Sequence, residues 1–215
     1  MNTTDYFDFT KIPDFDSHIE MSIHDYPFLI EQAKYYGDCF AQDNTCVIDY
    51  GCSTGKMLEE IPKKENTKYI GIDRASLLVA GERKGAEFIA SDFFKYEPSQ
   101  KASVIFSIFF LQFLPRNKRA EALKKINKEL ESGGCFIVAE KTHYSDSRLE
   151  NITNTAFMQS KLNNFHAEEV LVKANRLAKC MYLSTDSELS EELAVIGKPF
   201  VFWKCYGFTA TLVIK

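Results

Sequence analysis

The sequence lacks the features that mark several large classes of protein. No two of its six cysteines are separated by the two-residue gap of a zinc or redox motif. The longest apolar run, Val104 to Leu114, is interrupted by Ser107 and Gln112 and is far shorter than the roughly 20 residues that span a bilayer. Lysine and arginine total 26 against 30 aspartate and glutamate, so the net charge is −4. These absences argue against a metal or disulfide scaffold, a membrane span and a large nucleic-acid footprint.

The N-terminal segment, residues 1–16, is acidic and carries no apolar signal region. Together with scattered cysteines that we expect to stay reduced, this favours a cytoplasmic protein. The 215 residues fit one domain, and 18 phenylalanines and 10 tyrosines argue against disorder. We therefore expect a single domain over 1–215, in which 1–40 form an N-terminal cover, irregular up to residue 25, and 145–195 form a helical insertion.

Strand-like apolar runs alternate with helical stripes along the chain. This rhythm predicts right-handed βαβ units and an open, mostly parallel α/β sheet of seven strands with an antiparallel C-terminal pair. A helix capped by Asn117 is expected to end at Gly133-Gly134. The predicted strands are 45–50, 69–72, 87–90, a run within 102–114, 135–139, 199–206 and 208–214, and the other predicted helices are 26–40, a stretch ending at 61, and 75–85.

The first predicted strand ends in a loop with small or acidic residues at alternate positions, namely Asp49, Gly51, Ser53 and Gly55. Small residues allow the backbone to approach a ligand closely, and a helix N-terminus favours a carboxylate there. The spacing departs from the dinucleotide fingerprint, whose first and last glycines are five positions apart, because Gly51 and Gly55 are four apart. It also departs from the P-loop, since Lys-Met follows Gly55. It fits the S-adenosylmethionine (SAM) loop of class I methyltransferases, and a glycine turn without a ligand is the alternative.

Two further carboxylates stand at predicted strand ends. Asp73 ends the second strand, where a carboxylate can accept both hydroxyls of a ribose. Asp92 ends the third strand, where SAM enzymes bind the adenine amino group. Each of them could instead cap a helix. Three such strand ends in the right order favour a SAM site over these separate explanations.

Blocks along most of the chain match one protein family. They are Phe15-x-x-x-Ile19 with Ser22 and Tyr26, then Asp49–Ser53, Gly71–Asp73, Leu111–Leu114, Glu140-Lys141, Arg176, Thr185–Ser187, and Cys205 with Phe208. On these blocks the chain resembles carboxy-S-adenosyl-L-methionine (carboxy-SAM) synthase. This family has the class I methyltransferase fold and was formerly described as a tRNA uridine-5-oxyacetic acid methyltransferase.

The resemblance implies a Rossmann-like SAM-dependent transferase. In this family prephenate supplies carbon dioxide to the SAM methyl group, and the products are carboxy-SAM and phenylpyruvate. Carboxy-SAM then serves a separate enzyme of tRNA wobble-uridine modification. The resemblance further implies a homodimer with SAM or carboxy-SAM as its cofactor and without a metal, a membrane or a stable nucleic-acid complex.

The resemblance also assigns roles to single residues. Arg176 falls on the arginine that holds the new carboxylate, and Tyr26 on the tyrosine that closes over the cofactor. Ile108 stands where the family has asparagine, and Met21 where it has arginine. The cofactor-binding positions are Tyr26, Asp49, Gly51, Cys52, Ser53, Gly55, Asp73, Arg74, Asp92, Phe93 and Ile108.

Two other functions remain open from the sequence. One is an ordinary SAM-dependent methyltransferase that acts on a small molecule or on tRNA. The other is a non-catalytic SAM-binding module that lost its chemistry with the changes at Ile108 and Met21. His24 and His143 could act as acid–base groups, although structural roles are favoured for single histidines.

Overall fold

The computed structural model describes residues 12–75 and 81–215, and within them seven helices and nine strands. The helices are α1 (Phe15–Ser22), α2 (Tyr26–Phe40), α3 (Lys56–Glu60), α4 (Arg116–Glu129), α5 (Ser147–Lys161), α6 (Ala167–Leu177) and α7 (Asp186–Leu193). The strands are β1 (Cys46–Tyr50), β2 (Lys68–Asp73), β3 (Gly81–Arg83), β4 (Ala86–Ala90), β5 (Ala102–Ile108), β6 (Leu130–His143), β7 (Ser184–Thr185), β8 (Pro199–Cys205) and β9 (Phe208–Ile214).

The strands form one sheet in the order β3-β4-β2-β1-β5-β6-β9-β8, and β7 pairs with β6 beside this path. β1 runs parallel to both β2 and β5, whereas β9 runs antiparallel to β6 and β8. The mostly parallel α/β sheet with an antiparallel C-terminal pair is therefore confirmed. The strand count of seven was too low, because the short strands β3 and β7 add to the edge of β4 and to the end of β6.

Both faces of the central strands are covered, which explains their nearly continuous apolar sequences. Successive side chains point to opposite faces, so Ile48 and Val47 of β1 enter different cores. On one face the core includes Leu123 of α4 and Leu189 of α7. On the other face it includes Ala33 of α2 together with residues of α3. The sheet is thus held rigidly between two helical layers, and its strand ends are fixed relative to one another.

The helix predicted for 75–85 is wrong over its last part, while residues 76–80 lie outside the described residues. Gly81–Arg83 form β3, which pairs antiparallel with β4. Lys84 and Gly85 between them have φ angles of 49° and 75°. Two consecutive positive φ angles are typical of a tight hairpin turn. The Lys-Gly pair was therefore a turn signal rather than the end of a helix.

The boundaries of α4 also differ from the prediction. Pro115 takes the N-cap position, so Asn117 lies within the first turn instead of capping the helix. The helix ends at Glu129 and Leu130 is already extended, which places Gly133, with a φ of 78°, inside β6. The run within 102–114 is strand only to Ile108, and a short 3-10 turn follows.

Residues 15–22 form a helix where the prediction had irregular chain. Asp14 caps α1, because its side chain accepts hydrogen bonds from Ser17 N at 3.2 Å and from Ser17 Oγ at 2.6 Å. An Asp followed three residues later by Ser satisfies the first free amides of the helix. The acidic composition of this segment obscured that capping signal.

Candidate functional site

The glycine loop, Gly51–Gly55, leaves the sheet at its topological switch point. β1 lies between β2 and β5 there, and ligands of open α/β sheets bind at such a point beyond the carboxyl ends of the strands. Gly51 N and Cys52 N both donate to the carbonyl of Ile72, at 2.8 and 3.2 Å. A side chain at Gly51 would bring its Cβ within 2.8 Å of Phe110 Cβ, and the residue has a φ of 80°. The loop therefore needs glycine at this position.

Asp73, at the end of β2, braces the glycine loop. Its Oδ2 accepts a hydrogen bond from Ser53 N and its Oδ1 one from Ala75 N, both at 2.9 Å. The helix that Asp73 could cap was predicted to continue through residues 76–80, which lie outside the described residues. Each carboxylate oxygen can accept more than one hydrogen bond, so the group retains capacity for ligand hydroxyls.

Asp49, at the end of β1, is a buried carboxylate with an exposed fraction of 3%. Burial raises the pKa of Asp49 to about 7, and the negative charge of Asp73 acts in the same direction. Burial, and then the charge of Asp49, likewise raise the pKa of the Tyr26 phenol. The Tyr26 ring lies 6.2 Å from that of Phe109. Tyr26 and Asp49 therefore face one region of low polarity, in which a cation would stabilise the carboxylate.

Ser53 carries a buried hydroxyl that makes no hydrogen bond to the part of the chain that the structure describes. Its backbone has a φ of 50°, in the left-handed region that a residue with a side chain seldom adopts. Buried hydroxyls almost always have a partner. A ligand on the loop would supply one, so the loop fits a small polar molecule.

The remaining predicted cofactor positions are distributed around this edge of the sheet. Asp92 Oδ1 accepts a hydrogen bond from Phe94 N at 2.9 Å within a turn, so the alternative that Asp92 caps a helix is wrong. Phe93 is buried, with its ring 4.6 Å from that of Tyr50. Arg74 directly follows β2 and is exposed.

Packing against neighbouring side chains determines the surroundings of three further predicted cofactor positions, Gly55, Cys52 and Ile108. Gly55 has a φ of 84°, and a Cβ there would meet the ring of Phe88. Cys52 is buried, and burial raises the pKa of its thiol, which keeps it protonated. Ile108 packs against two of the hydrophobic clusters.

Helix α1 lies against the glycine loop and the start of α3 through two carboxylates that the sequence analysis did not single out. Asp16 accepts a hydrogen bond from the hydroxyl of Thr54 at 2.7 Å, and Glu20 binds Lys56 at 2.9 Å. Positions 16 and 20 are one helical turn apart and therefore share a face. The Asp-x-x-x-Glu spacing was the available signal, but it needed the helix to be recognised first.

Arg83 of β3 was also missed. Its Nη2 donates to the carbonyl of Thr54 at 2.8 Å, its Nε lies 2.9 Å from Glu59, and its guanidinium lies 4.3 Å from the centre of the Phe88 ring. The residue thus holds the far end of the glycine loop. The helix predicted over 75–85 directed attention away from it.

Arg176, the predicted carboxylate-binding residue, lies in the last turn of α6 and is exposed. It is one helical turn beyond Lys173, whose ammonium is 2.6 Å from His18 of α1. His24 and His143 take peripheral positions: the ring of His24 packs 6.1 Å from that of Tyr206, and His143 Nδ1 lies 3.3 Å from the carbonyl of Tyr144.

Carboxylates dominate the charge around the glycine loop. Asp49, Asp73 and Asp92 close the ends of β1, β2 and β4, and Asp16 and Glu20 approach from α1. Such a site suits a ligand with positive charge, and SAM carries an ammonium and a sulfonium. Residues 12–75 and 81–215 contain no group of three His, Cys, Asp or Glu that could hold a metal ion. Over the same residues no helix is both long and apolar enough to cross a bilayer.

Comparison with known proteins places this chain in a named group. The family model described as "Methyltransferase domain" matches residues 47–134. The carboxy-S-adenosyl-L-methionine synthase of Staphylococcus epidermidis is 31% identical over 172 residues, which cover 76% of this chain and 74% of that protein. The protein of the same name from Pseudomonas putida W619 is 26% identical over 220 residues, covering 93% of this chain and 88% of its relative.

Solved structures support the fold. The plantazolicin methyltransferase BpumL in complex with SAH superposes with a TM-score of 0.65 at 16% sequence identity. The match covers 99% of this chain and 93% of that one. At this identity the likeness bears on the arrangement of strands and helices, which is that of class I SAM methyltransferases.

Proposed function

Because the chain belongs to the carboxy-S-adenosyl-L-methionine synthase family and is a SAM-binding transferase, we propose that it makes carboxy-SAM, phenylpyruvate and water from SAM and prephenate. The hydroxyl that leaves prephenate and the proton that leaves the SAM methyl group form the water. The relatives in this family cover nearly all of the chain, including the helical insertion. The insertion is where the predicted carboxylate-binding residue, Arg176, lies.

One structural observation carries the cofactor part of this proposal. The buried hydroxyl of Ser53 has no partner in the described chain, and the Ser53 amide donates to Asp73. The carboxylate of Asp49 is buried at the end of the neighbouring strand. A ligand that offers both a polar group and a positive charge satisfies all three. SAM offers both, and its sulfonium methyl group supplies the carbon to be carboxylated.

Different residues of the chain would bind different parts of the cofactor. Asp49 would pair with the ammonium, Ser53 would hydrogen-bond the methionine part, and Asp73 would accept the ribose hydroxyls while it continues to hold the loop. Asp92 would accept the adenine amino group. The other positions of this proposed set are Tyr26, Gly51, Cys52, Gly55, Arg74, Phe93 and Ile108.

Arg176 would act on the second carboxylate, which distinguishes the product from SAM. A planar guanidinium can bind a carboxylate through two parallel hydrogen bonds. Helix α1, held to the glycine loop through Asp16 and Glu20, would cover the site and exclude water. The proposed chemistry needs no strong protein base, so these residues act by positioning and by charge.

Mass spectrometry of the reaction tests the proposal. Purified chain incubated with SAM and prephenate should yield a product heavier than SAM by one carbon dioxide, together with phenylpyruvate, and neither should form without prephenate. Methyl transfer to an acceptor in the absence of prephenate would make the chain an ordinary methyltransferase. SAM binding without turnover under either condition would make it a binding module.

The assembly and cellular role belong to the same proposal. Apolar side chains are exposed on the helical insertion, at Leu149 and Ile152 of α5 and at Leu171 and Val172 of α6. Exposed apolar groups of this number favour an interface, and we propose a homodimer that uses this face. Sedimentation at several concentrations tests it, with Ile152→Glu expected to favour the monomer. The proposed role is cytoplasmic, supplying tRNA wobble-uridine modification.

A further inference from the structure

Three lysines from separate elements lie close enough for their charges to repel one another, and one of them contacts α1 on the side that faces away from the glycine loop. We call Lys141 of β6, Lys161 of α5 and Lys173 of α6 the lysine cluster. The ammonium groups of Lys161 and Lys141 lie 4.3 and 5.1 Å from the centre of the same ring, that of Phe157. The ammonium of Lys173 lies 2.6 Å from His18 Nε2 and 3.0 Å from Ser22 Oγ.

The lysine cluster carries more positive charge than its described surroundings neutralise. Burial lowers the pKa of Lys161 to about 7, with Lys173 and Lys141 adding repulsion, and burial lowers that of Lys173 to about 8. Among the described residues no carboxylate raises either value. Burial lowers the pKa of Lys141, and Glu150 opposes this shift only in part; Glu150 Oε2 also accepts a hydrogen bond from Tyr144 N at 2.9 Å.

The fourth basic group, His18, responds to the same surroundings. Burial lowers its pKa, Lys173 and Lys161 lower it further, and Glu169 acts weakly in the opposite direction. Grouping partly buried cations without anions is costly, because the low dielectric strengthens their mutual repulsion. A bound anion would remove that cost.

Helix α1 separates this basic region from the acidic one. Asp16 contacts the glycine loop and Glu20 contacts Lys56 directly after it, whereas His18 and Ser22 contact Lys173. Residues two apart on a helix point about 200° apart, so the two pairs occupy opposite faces. One helix therefore lies between a region suited to a cation and a region suited to an anion.

Packed aromatic rings of one hydrophobic core cluster fill the interior between the two regions. Centroid distances are 6.2 Å from Tyr26 to Phe109, 5.5 Å from Phe109 to Phe208 and 5.2 Å from Phe208 to Phe157. The row begins at Tyr26, beside Asp49, and ends at Phe157, under the lysines. The two charged regions thus lie at the two ends of one row of packed rings.

We propose that the lysine cluster is the binding site for a small dicarboxylate, with Lys161 and Lys173 as its principal ligands. Two carboxylates neutralise two of the three lysines, and ammonium groups on flexible stems bind carboxylates as point charges. The cavity beside Lys141 and Phe157 has a volume of about 10 Å³, enough for only about one water. The dicarboxylate therefore binds at the partly exposed outer lysines. The identification of that dicarboxylate as the second substrate rests on the proposed function.

The test measures binding of prephenate and malonate to the full chain by calorimetry in the absence of SAM. Lys161→Met and Lys173→Met keep the apolar stems and remove the charges. Each should weaken both dicarboxylates about tenfold or more, as expected for the loss of a charge-assisted bond. Lys124→Met, at an exposed position of α4, is the matched control and should leave both affinities unchanged.

Several outcomes overturn the inference. They are equal dicarboxylate affinities in wild type and in both variants, tighter binding of acetate or inorganic phosphate than of malonate, or no dicarboxylate binding at all. SAM affinity, measured in parallel, should stay within about twofold of wild type in all variants. Failure of wild type to bind SAM would count against the proposed function, while the malonate results would still decide the lysine cluster. Because each substitution removes a partly buried charge, thermal stability without ligand should not fall, which separates lost binding from lost folding.

Discussion

The backbone amide of Gln112 donates a hydrogen bond of 2.6 Å to the buried carboxylate of Glu140, 28 residues further along the chain. In return, Gln112 Oε1 accepts one of 2.8 Å from Lys141 N. The second carboxylate oxygen of Glu140 accepts from Leu111 N at 2.9 Å. Two blocks that carried the family resemblance, Leu111–Leu114 and Glu140-Lys141, are therefore one structural unit. It fixes the 3-10 turn after β5 to β6.

Glu140→Gln should destabilise this unit. Both carboxylate oxygens accept backbone amides, so an amide side chain turns its NH₂ group towards one of those donors and leaves it unpaired. Burial raises the pKa of Glu140 to about 8, while the Arg119 guanidinium and the two backbone amides favour its ionised form, which an amide side chain cannot adopt. We expect the free energy of unfolding to fall by about 1–3 kcal/mol in urea titrations. Glu121→Gln, at an exposed position of α4, is the control, and an equal effect of both changes would contradict the assignment.

Asp49→Asn should change how stability depends on pH. The folded protein holds this proton up to about pH 7, whereas an aspartate in the unfolded chain releases it near pH 3.8, its ordinary value. The contribution of Asp49 to stability is therefore present at low pH and is lost as the pH rises through about 7. The variant should match wild type near pH 4 and exceed it at pH 8 by a free energy on the order of 2 kcal/mol. Parallel melting curves at both values measure the difference, and the same difference at each pH would show that Asp49 titrates normally.

The same variant tests the role of Asp49 in binding. A cationic ammonium favours the ionised carboxylate, so the affinity of wild type for SAM should rise between pH 6 and pH 8. Asp49→Asn should bind SAM more weakly at pH 8 and show little change with pH. Calorimetry at the two values checks this, and an unchanged pH profile in the variant would remove Asp49 from the ammonium site.

Ser53→Ala separates a ligand contact from a structural one. The hydroxyl has no partner in the described chain, so its removal should leave the stability of the ligand-free protein unchanged or raise it slightly. SAM affinity should nevertheless fall about 3- to 10-fold, the usual range for one neutral hydrogen bond. Ser107→Ala removes another unpartnered hydroxyl, in β5, and should not affect SAM. Undiminished SAM affinity in Ser53→Ala would place the ligand elsewhere.

Arg176→Ala should distinguish carboxy-SAM from SAM. Loss of a charge-assisted bond should weaken carboxy-SAM by about 2 kcal/mol relative to SAM, and Arg176→Lys should restore only part of it. Arg148→Ala, at an exposed position of α5, is the control. Competition binding with both ligands gives the differential directly. If the alanine variant keeps the wild-type ratio of affinities, Arg176 does not hold the second carboxylate.

The alternation of strands and helices and the glycine loop could be read from the sequence, because each is encoded within a few neighbouring residues. The spacing from Asp49 to Gly55 was sufficient to predict a SAM loop, and the structure places that loop at the switch point. Local sequence patterns also gave a wrong prediction where a helix pattern and a turn signal overlapped. The Lys84-Gly85 turn was read as the end of a helix, although its positive φ angles form a hairpin.

The tertiary structure alone decided which distant residues meet. The lysine cluster is formed by three elements with no shared periodicity, which contribute Lys141, Lys161 and Lys173. Their spacing in the sequence therefore did not predict that they lie together. Arg119 is a second example. The charged sequence of α4 suggests a surface residue, but the exposed fraction of Arg119 is 2%, and its Nη1 lies 2.6 Å from Ser184 Oγ. A local pattern fixes backbone conformation, because that depends on neighbouring residues. The environment of a charge depends on which elements pack around it, and that is settled only when the whole sheet and its helices have assembled.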